Sequence, residues 1–278
     1  MKYTPYSILI SLYEKEHPEY LQESLDSIFG QSVRPDEIVV VKDGPLTYEL
    51  ESVLDSYVGG HPGLFTFVAY PENKGLWYAL SVGVPACRNE FVMRMDVDDW
   101  MTPDRAEKQL EAFREHPEYG CVGTLVTEFE GNIGHPIALV NLPESHDEIV
   151  RFGKKRNPMR HPAVMFRKSA VLAAGNYQEM PFFEDYDLYM RLASAGCIFH
   201  NIQESLVYVR TSQGFYARRG GIVYMRDMLR FKRACLARGD YTLPEFLACT
   251  APHIAACLMP NGLRAFVYKH MLRSKPAE

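Results

Sequence analysis

Three carboxylates lie within four residues of one another, at Asp96, Asp98 and Asp99. They follow the apolar run 90–95, which predicts a strand. In an extended segment Asp96 and Asp98 would point to one side and Asp99 to the other. Like charges this close raise the pKa of at least one carboxyl unless a cation is present. Mg²⁺ or Mn²⁺ suits such oxygen ligands together with substrate phosphates, whereas an acidic turn before a helix is the simpler alternative.

Other acidic side chains also stand at the boundaries of predicted elements. Asp43 ends a run of β-branched residues and precedes Gly44, where an Asp is equally typical of a turn. Glu184 and Asp185 begin a predicted helix, a position that the helix macrodipole favours for acids without any catalytic role. A general base must lie within hydrogen-bond reach of the proton it takes. Only the fold can therefore decide between these readings.

Arginines follow the last predicted strand of the chain, at Arg210, Arg218 and Arg219. A guanidinium group binds phosphate oxygens in pairs, so this cluster suits a diphosphate. Glycines among the arginines, at Gly214, Gly220 and Gly221, would let the loop close over a ligand. A solvated basic loop is an equally good explanation of the pattern.

The elements that must position these residues alternate between strand and helix over the first hundred residues. Apolar runs at 7–12, 37–41, 64–69 and 90–95 predict strands, and helical spacing separates them. Such repeats predict a parallel sheet with helices on both faces. Ligands of these sheets bind beyond the carboxyl ends of the strands, where the polar residues stand.

The rest of the chain is less regular. Residues 120–161 are predicted to form strand, turn and loop, with a hairpin turn at Gly131 and Asn132. A helix is predicted over 185–195 and an extended segment over 198–210. The apolar stretch 246–259 is too short to span a bilayer.

Composition excludes several classes of protein. Of 278 residues, 47% are hydrophobic and 23% are charged, which is typical of a globular domain. A formal net charge of −5 argues against a nucleic-acid partner. The six cysteines form no Cys-x-x-Cys pair, so a zinc site has no support. With no signal-peptide pattern at the start, we expect a cytoplasmic chain with reduced thiols.

Several segments, taken together, resemble glycosyltransferase family 2, the inverting nucleotide-sugar transferases of GT-A fold. The matching segments are residues 7–13, 21–31, 37–44, 73–76, 91–99 and 183–188. Residue 42 is Lys and residue 45 is Pro, where the family's second strand has other residues. The resemblance covers about residues 5–225 and narrows, through 157–166 and 218–221, to a branch that assembles bacterial exopolysaccharide, capsule or O-antigen, including amylovoran-type transferases.

This resemblance implies a fold and a division of the chain. The fold is α/β, with the Rossmann-like GT-A arrangement of a mixed, mostly parallel sheet flanked by helices and a helical tail at the carboxyl end. The GT-A domain would span residues 1–225 and the extension residues 226–278. The basic amphipathic pattern at 263–275 suits an anionic membrane surface, or an ordinary surface helix packed on the core.

The resemblance also implies the roles of the site residues. Asp43 would contact the nucleotide base, Asp96 the ribose or the metal, and Asp98 would bind Mn²⁺ or Mg²⁺. Asp185 would be the general base. The remaining substrate-binding candidates are Asn73, Glu184, Arg210, Arg218, Arg219 and His161, although a structural role suits a His before Pro162 equally well. Where many members place a metal-binding His, this chain has Thr211 and Ser212, which leaves the ligand set open.

The expected activity is the transfer of one hexose-type sugar from a nucleotide diphosphate sugar, of the UDP type, to a lipid-linked glycan at the cytoplasmic face of a membrane. No Gln-x-x-Arg-Trp motif of the processive synthases is present. One rival is a non-catalytic binding protein of the same fold. A sugar-phosphate nucleotidyltransferase would need a Gly-rich phosphate loop after the first strand, and an oxidoreductase would need Gly-x-Gly-x-x-Gly there; the sequence has neither.

Overall fold

The computed structural model describes residues 4–211 and 220–260. The elements of the first part are β1 (Tyr6–Leu12), α1 (Pro18–Phe29), β2 (Glu37–Asp43), α2 (Tyr48–Val58), β3 (Phe65–Tyr70), α3 (Leu76–Ala86), β4 (Phe91–Arg94), β5 (Trp100–Met101) and α4 (Arg105–Glu115). They are followed by β6 (Tyr119–Phe129), β7 (Pro136–Val140), α5 (His146–Gly153), β8 (Met165–Arg167), α6 (Lys168–Ala173), α7 (Glu184–Ser194), β9 (Ile198–Arg210), α8 (Gly221–Arg238) and α9 (Leu243–Leu258).

Strands β1 to β4 form the parallel half of the sheet, in the order β3-β2-β1-β4. Alternate side chains of β1 enter the two cores: Ile8 and Ile10 pack on the side of α1 and α2, and Leu9 packs on the side of α3. Helix α3 lies so close to the sheet that a Cβ at Gly83 would stand only 2.6 Å from a Leu9 methyl carbon. The absence of a side chain at Gly83 permits this close packing. The four predicted strands are therefore confirmed, and their carboxyl ends share one edge.

The sheet continues through β8, β6, β9 and β5, with β7 paired to β6. Strands β8, β5 and β7 are antiparallel to their neighbours, while the long β6 and β9 run parallel to each other. Most of the paired length is thus parallel, as predicted. The expected hairpin is also confirmed, since β6 and β7 pair antiparallel on either side of Gly131, whose φ is +68°.

The prediction of strand, turn and loop over residues 120–161 is wrong at His146–Gly153, where helix α5 forms. Its short sequence carries too few apolar residues for a clear helical period. A capping box is present, in which Ser145 and Glu148 satisfy each other's backbone N–H groups at the start of the helix. That pair was the signal in the sequence for the helix.

Helices α8 and α9 pack together against α7 through an aromatic cluster that includes Phe183, Tyr186 and Phe231. Helix α8 runs through residues 225 and 226, where the domain boundary was predicted. Among the described residues, none of the helices is long and apolar enough to cross a membrane. The amphipathic pattern at 263–275 lies outside the described residues.

Candidate active site

The carboxylates of Asp96, Asp98 and Asp99 gather in the turn between β4 and β5. Each contributes one oxygen atom, and these oxygen atoms lie within 4.8 Å of one another. The expectation of an extended segment with Asp99 on the far side is wrong. The chain turns here, with the Asp99 N–H donating to the Asp96 carbonyl at 3.4 Å, so all three side chains reach one place.

Burial and mutual repulsion raise the pKa values in this cluster. Burial and the charge of Asp96 raise the pKa of Asp98 to about 6, and burial and Asp98 hold the pKa of Asp99 well above its usual range. The Asp99 Oδ1 accepts the Arg210 N–H at 2.9 Å, whereas its buried Oδ2 has no hydrogen-bond partner among the described residues. The donor set therefore fits a hard divalent cation, which would relieve the repulsion and satisfy that oxygen.

Two charged residues that sequence reasoning missed stand beside the cluster. Burial and the charges of Asp98 and Asp96 raise the pKa of Glu16 to about 7. Arg94 is fully buried at the end of β4 and forms an ion pair with Asp96. An arginine inside an otherwise apolar strand was the only sign of this contact in the sequence. Glu16 gave none, because it stands in the polar loop after β1.

A cavity of about 300 Å³ opens at the carboxyl ends of β1 and β2, between Glu16, Asp43, Asn73 and Asp96. Asp43 is buried, and both its oxygens hold the turn before α3: Oδ1 accepts the Lys74 N–H at 2.7 Å and Oδ2 accepts the Gly75 N–H at 3.0 Å. The Asn73 amide donates to the Asp43 carbonyl at 3.2 Å. The structure thus brings Asp43, Asn73 and Asp96 together, as the sequence predicts.

Arg210 lies at the carboxylate cluster, but its guanidinium group is engaged with the protein. It contacts the Glu23 carboxylate, donates to the Asp98 carbonyl at 3.0 Å, and stacks over the Tyr20 ring. In this arrangement Arg210 fixes the turn that carries the aspartates. The predicted diphosphate contacts of Arg218 and Arg219 fall outside the described residues.

A second cavity, of about 650 Å³, lies between α5, α7, α8 and α9. Asp185 and Asp96 both line it, and Asp96 also lines the smaller cavity, so the two cavities meet there. The Asn157 side-chain amide donates to Asp185 Oδ2 at 2.6 Å, which fixes the direction of that carboxylate. Asp185 is only partly buried and faces space large enough for a sugar.

The other two candidates near Asp185 occupy different surroundings. Burial and the charge of Asp185 raise the pKa of Glu184 to about 7. His161 lines the larger cavity, and its Nε2 hydrogen-bonds the Tyr177 hydroxyl at 2.9 Å. Burial, with the charge of Arg94, holds the pKa of His161 well below its usual range, so the ring is neutral at pH 7.

The mixed α/β sheet, with a carboxylate cluster at the carboxyl end of β4, agrees with the GT-A glycosyltransferase fold that the sequence resembles. The family model described as "Glycosyl transferase family 2" matches residues 7–172, so the chain belongs to glycosyltransferase family 2 and is an enzyme of that class.

Curated relatives agree with this assignment. The amylovoran biosynthesis glycosyltransferase AmsE of Erwinia amylovora is 37% identical over 84% of this chain and 86% of its own length. The UDP-Gal:alpha-D-GlcNAc-diphosphoundecaprenol beta-1,3-galactosyltransferase of Escherichia coli is 32% identical over 96% of both chains. An uncharacterized glycosyltransferase of Haemophilus influenzae is 36% identical over 96% of this chain and 99% of its own. The predicted resemblance is therefore confirmed.

Solved structures share the fold. A mannosyltransferase of Pyrobaculum calidifontis in complex with GDP-Man and Mn²⁺ has a TM-score of 0.64 and 17% identity, covering 94% of this chain and 72% of that one. S. aureus TarS 1-349 in complex with UDP-GlcNAc has a TM-score of 0.64 and 15% identity, covering 96% and 72%. The GT-A fold predicted from the sequence is confirmed by these likenesses.

Proposed function

We propose that this enzyme transfers one sugar, with inversion, from a UDP-sugar to a hydroxyl group of a lipid-linked glycan in the synthesis of a bacterial surface polysaccharide. The observation that carries this proposal is the junction at Asp96. On one side of it lies a cavity that Asp96 of the carboxylate cluster lines, and on the other lies a larger cavity with an oriented carboxylate, Asp185. A donor and an acceptor can meet there.

The smaller cavity is the proposed donor site. Its size suits the nucleoside part of the donor, with Asp43 and Asn73 at the base and Asp96 at the ribose. Asp98, with Asp96, would hold Mn²⁺ or Mg²⁺. That cation would neutralise the charge that builds up on the leaving diphosphate. Mn²⁺ in the Pyrobaculum mannosyltransferase and UDP-GlcNAc in TarS support this choice of ligands.

Asp185 is the proposed general base. Its carboxylate takes the proton of the acceptor hydroxyl while the oxygen forms a bond to the anomeric carbon. The bond from that carbon to the diphosphate oxygen breaks, and its electron pair leaves with UDP. The Asn157 amide donates to Oδ2 and the Tyr186 N–H donates to Oδ1 at 2.7 Å, and these two hydrogen bonds hold the carboxylate at the cavity wall. A single direct displacement inverts the anomeric centre.

The larger cavity is the proposed acceptor site. It takes part of its wall from α8 and α9, so the described part of the extension 226–278 contributes to acceptor binding. The E. coli relative is named for a diphosphoundecaprenol-linked acceptor, which supports a lipid-linked glycan here. Such an acceptor places the enzyme at the cytoplasmic face of a membrane, where residues 263–275 would add a peripheral contact.

Thermal unfolding with a panel of nucleotides tests the donor site. The panel is UDP, GDP, TDP, CMP and NAD, each with Mn²⁺ or with EDTA. A ligand at a hundredfold excess over its Kd stabilises the fold by about 2.7 kcal/mol, which raises the midpoint by about 5–10 °C. Of all these combinations, we expect the rise in midpoint only when UDP and Mn²⁺ are both present.

The control pair is Asp98→Asn against Asp104→Asn. Asp98 belongs to the carboxylate cluster, while Asp104 is a partly exposed acid near the start of α4 that pairs with Lys108 at 2.8 Å. The first substitution should abolish the shift and the second should preserve it. Two outcomes would contradict a metal-dependent donor site and favour a non-catalytic binding protein. One is a midpoint shift that persists in EDTA, and the other is the absence of a shift with every nucleotide of the panel.

A further inference from the structure

The acceptor cavity is lined by both basic and acidic side chains. Lys155 and Arg156 line the cavity just after α5; Lys155 is exposed and Arg156 is half-buried. Asp96 and Asp185 line the same cavity where it meets the donor site. The proposed acceptor hydroxyl lies near Asp185, so the basic side chains are available for a different, anionic part of the same ligand.

Neighbouring basic residues have partners that hold this part of the cavity wall in place. Lys154 forms an ion pair with Glu245 of α9 at 2.6 Å, which ties the basic loop to that helix. Arg160 pairs with the buried Glu128 at 3.3 Å. Lys155 and Arg156 are thus presented at the cavity between two anchored positions.

The outer face of α9 is entirely apolar. The exposed residues of this helix are Leu243, Pro244, Leu247, Ala248, Ala251, Pro252, Ala255 and Leu258. The three leucines are 59%, 58% and 62% exposed. An uninterrupted apolar face of this kind on a protein surface marks a binding surface. Two of its members, Ala248 and Pro252, also line the acceptor cavity, so the apolar face begins at the cavity.

We propose that Lys155 and Arg156 bind the diphosphate of an isoprenoid-diphosphate-linked acceptor, and that the apolar face of α9 binds the first part of its isoprenoid chain. This inference rests on the proposed function, which gives the cavity to the acceptor. All three surfaces border one cavity, so a single ligand could place its sugar at Asp185, its diphosphate at Lys155 and Arg156, and its hydrocarbon along α9. A ligand that matches both Lys155 and Arg156 and the apolar face of α9 needs an anionic group and a hydrocarbon chain.

The charge of Lys155 and Arg156 is tested with farnesyl diphosphate binding to the full chain in EDTA. EDTA removes any metal-dependent binding of the diphosphate at the donor site. The test variant is Lys155→Gln with Arg156→Gln, and the control is Arg151→Gln, an exposed residue of α5 that does not line the cavity. Each lost charge-assisted contact should weaken binding about tenfold, so the double variant loses about a hundredfold. Equal binding by the double variant and the control would overturn the proposal.

The apolar face is tested with a series of chain lengths: inorganic diphosphate, isopentenyl diphosphate, geranyl diphosphate and farnesyl diphosphate. Burying about a third of each five-carbon unit against α9 should gain about tenfold in affinity per unit. Leu247→Gln should reduce that gain, while Leu172→Gln, on the exposed side of α6, should leave it unchanged. Affinity that does not depend on chain length would show a plain anion site and overturn the proposal.

Two residues separate the end of α9 from residues 261–278, which are the other candidate occupant of its apolar face. If they cover it, Leu247→Gln will lower the unfolding midpoint of the ligand-free chain well below that of Leu172→Gln, and the proposal fails. The UDP and Mn²⁺ shift is measured on the same preparations. A normal UDP shift without farnesyl diphosphate binding refutes only this inference, whereas loss of the UDP shift refutes the proposed donor site.

Discussion

Replacing Glu16 with Gln should stabilise the metal-free enzyme at high pH and not at low pH. Burial and the charges of Asp98 and Asp96 raise the pKa of Glu16 to about 7 in the folded state, from an ordinary value of 4.5. Between these two values the folded state binds more protons than the unfolded state. Stability therefore falls as the pH rises through this window, and the full loss is present above pH 7.

The size of this effect follows from the pKa change. Raising the pKa from 4.5 to about 7 corresponds to about 3 kcal/mol, at about 1.4 kcal/mol per pKa unit. Water still reaches the Glu16 side chain, and this screening reduces the expected gain to about 1–2 kcal/mol at pH 8. At pH 4 both states bind the proton, so the Glu16→Gln variant should match the native chain.

Urea denaturation in EDTA, at pH 4 and pH 8, measures the free energy of unfolding for each variant. Glu14→Gln is the matched control, because Glu14 is an exposed acid two residues earlier in the same loop. Saturating Mn²⁺ should remove the gain, since the cation offsets the same repulsion. A stabilisation that is equal at both pH values, or equal in Glu14→Gln, would refute the electrostatic explanation.

Two further predictions concern the residues that shape the donor site. Asp43→Asn should lower the free energy of unfolding by about 1–3 kcal/mol and weaken UDP binding, because an amide leaves one backbone N–H of the turn before α3 without an acceptor. Urea denaturation measures the first effect and a UDP titration measures the second. An unchanged free energy of unfolding together with an unchanged UDP affinity would contradict this prediction. Arg94→Met should cost about 1–2 kcal/mol in EDTA, because Asp96 loses its counter-charge although water still reaches its carboxylate. Thermal unfolding should show that Mn²⁺ restores part of this stability, and an equal loss with and without Mn²⁺ would contradict the role of Arg94 as counter-charge.

The parallel half of the sheet could be predicted from the sequence because its strands are short apolar runs with helical spacing between them. The rule that ligands bind beyond the carboxyl ends of parallel strands also predicts that Asp43 and Asp96 lie at one edge of the sheet. Helix α5 was missed because packing, more than apolar periodicity, decides such a short segment. The antiparallel β8 is likewise only three residues long and leaves little trace in the sequence.

The sequence indicates residue types for the candidate site more readily than it indicates their arrangement. The sequence indicated Asp96, Asp98 and Asp185, partly through the family resemblance. It could not show that a turn brings Asp99 to the same place, or that Asn157 aims the Asp185 carboxylate, because such contacts depend on distant segments of the chain. The position of Arg210 was predicted, yet its engagement with Glu23 depends on a contact between β9 and α1.

Sugar transfer by the Asp185→Asn variant tests most directly whether Asp185 is the general base of an inverting glycosyltransferase. The assay uses the donor that the nucleotide panel selects and a lipid-diphosphate-linked acceptor, with the exposed Glu179→Gln as control. We expect kcat to fall about 10²–10⁴-fold, the midpoint shift with UDP and Mn²⁺ to stay unchanged, and the product of the native chain to carry the inverted anomer. Normal transfer by Asp185→Asn, or a product that retains the anomeric configuration, would contradict the assignment of Asp185 as the base of a direct displacement.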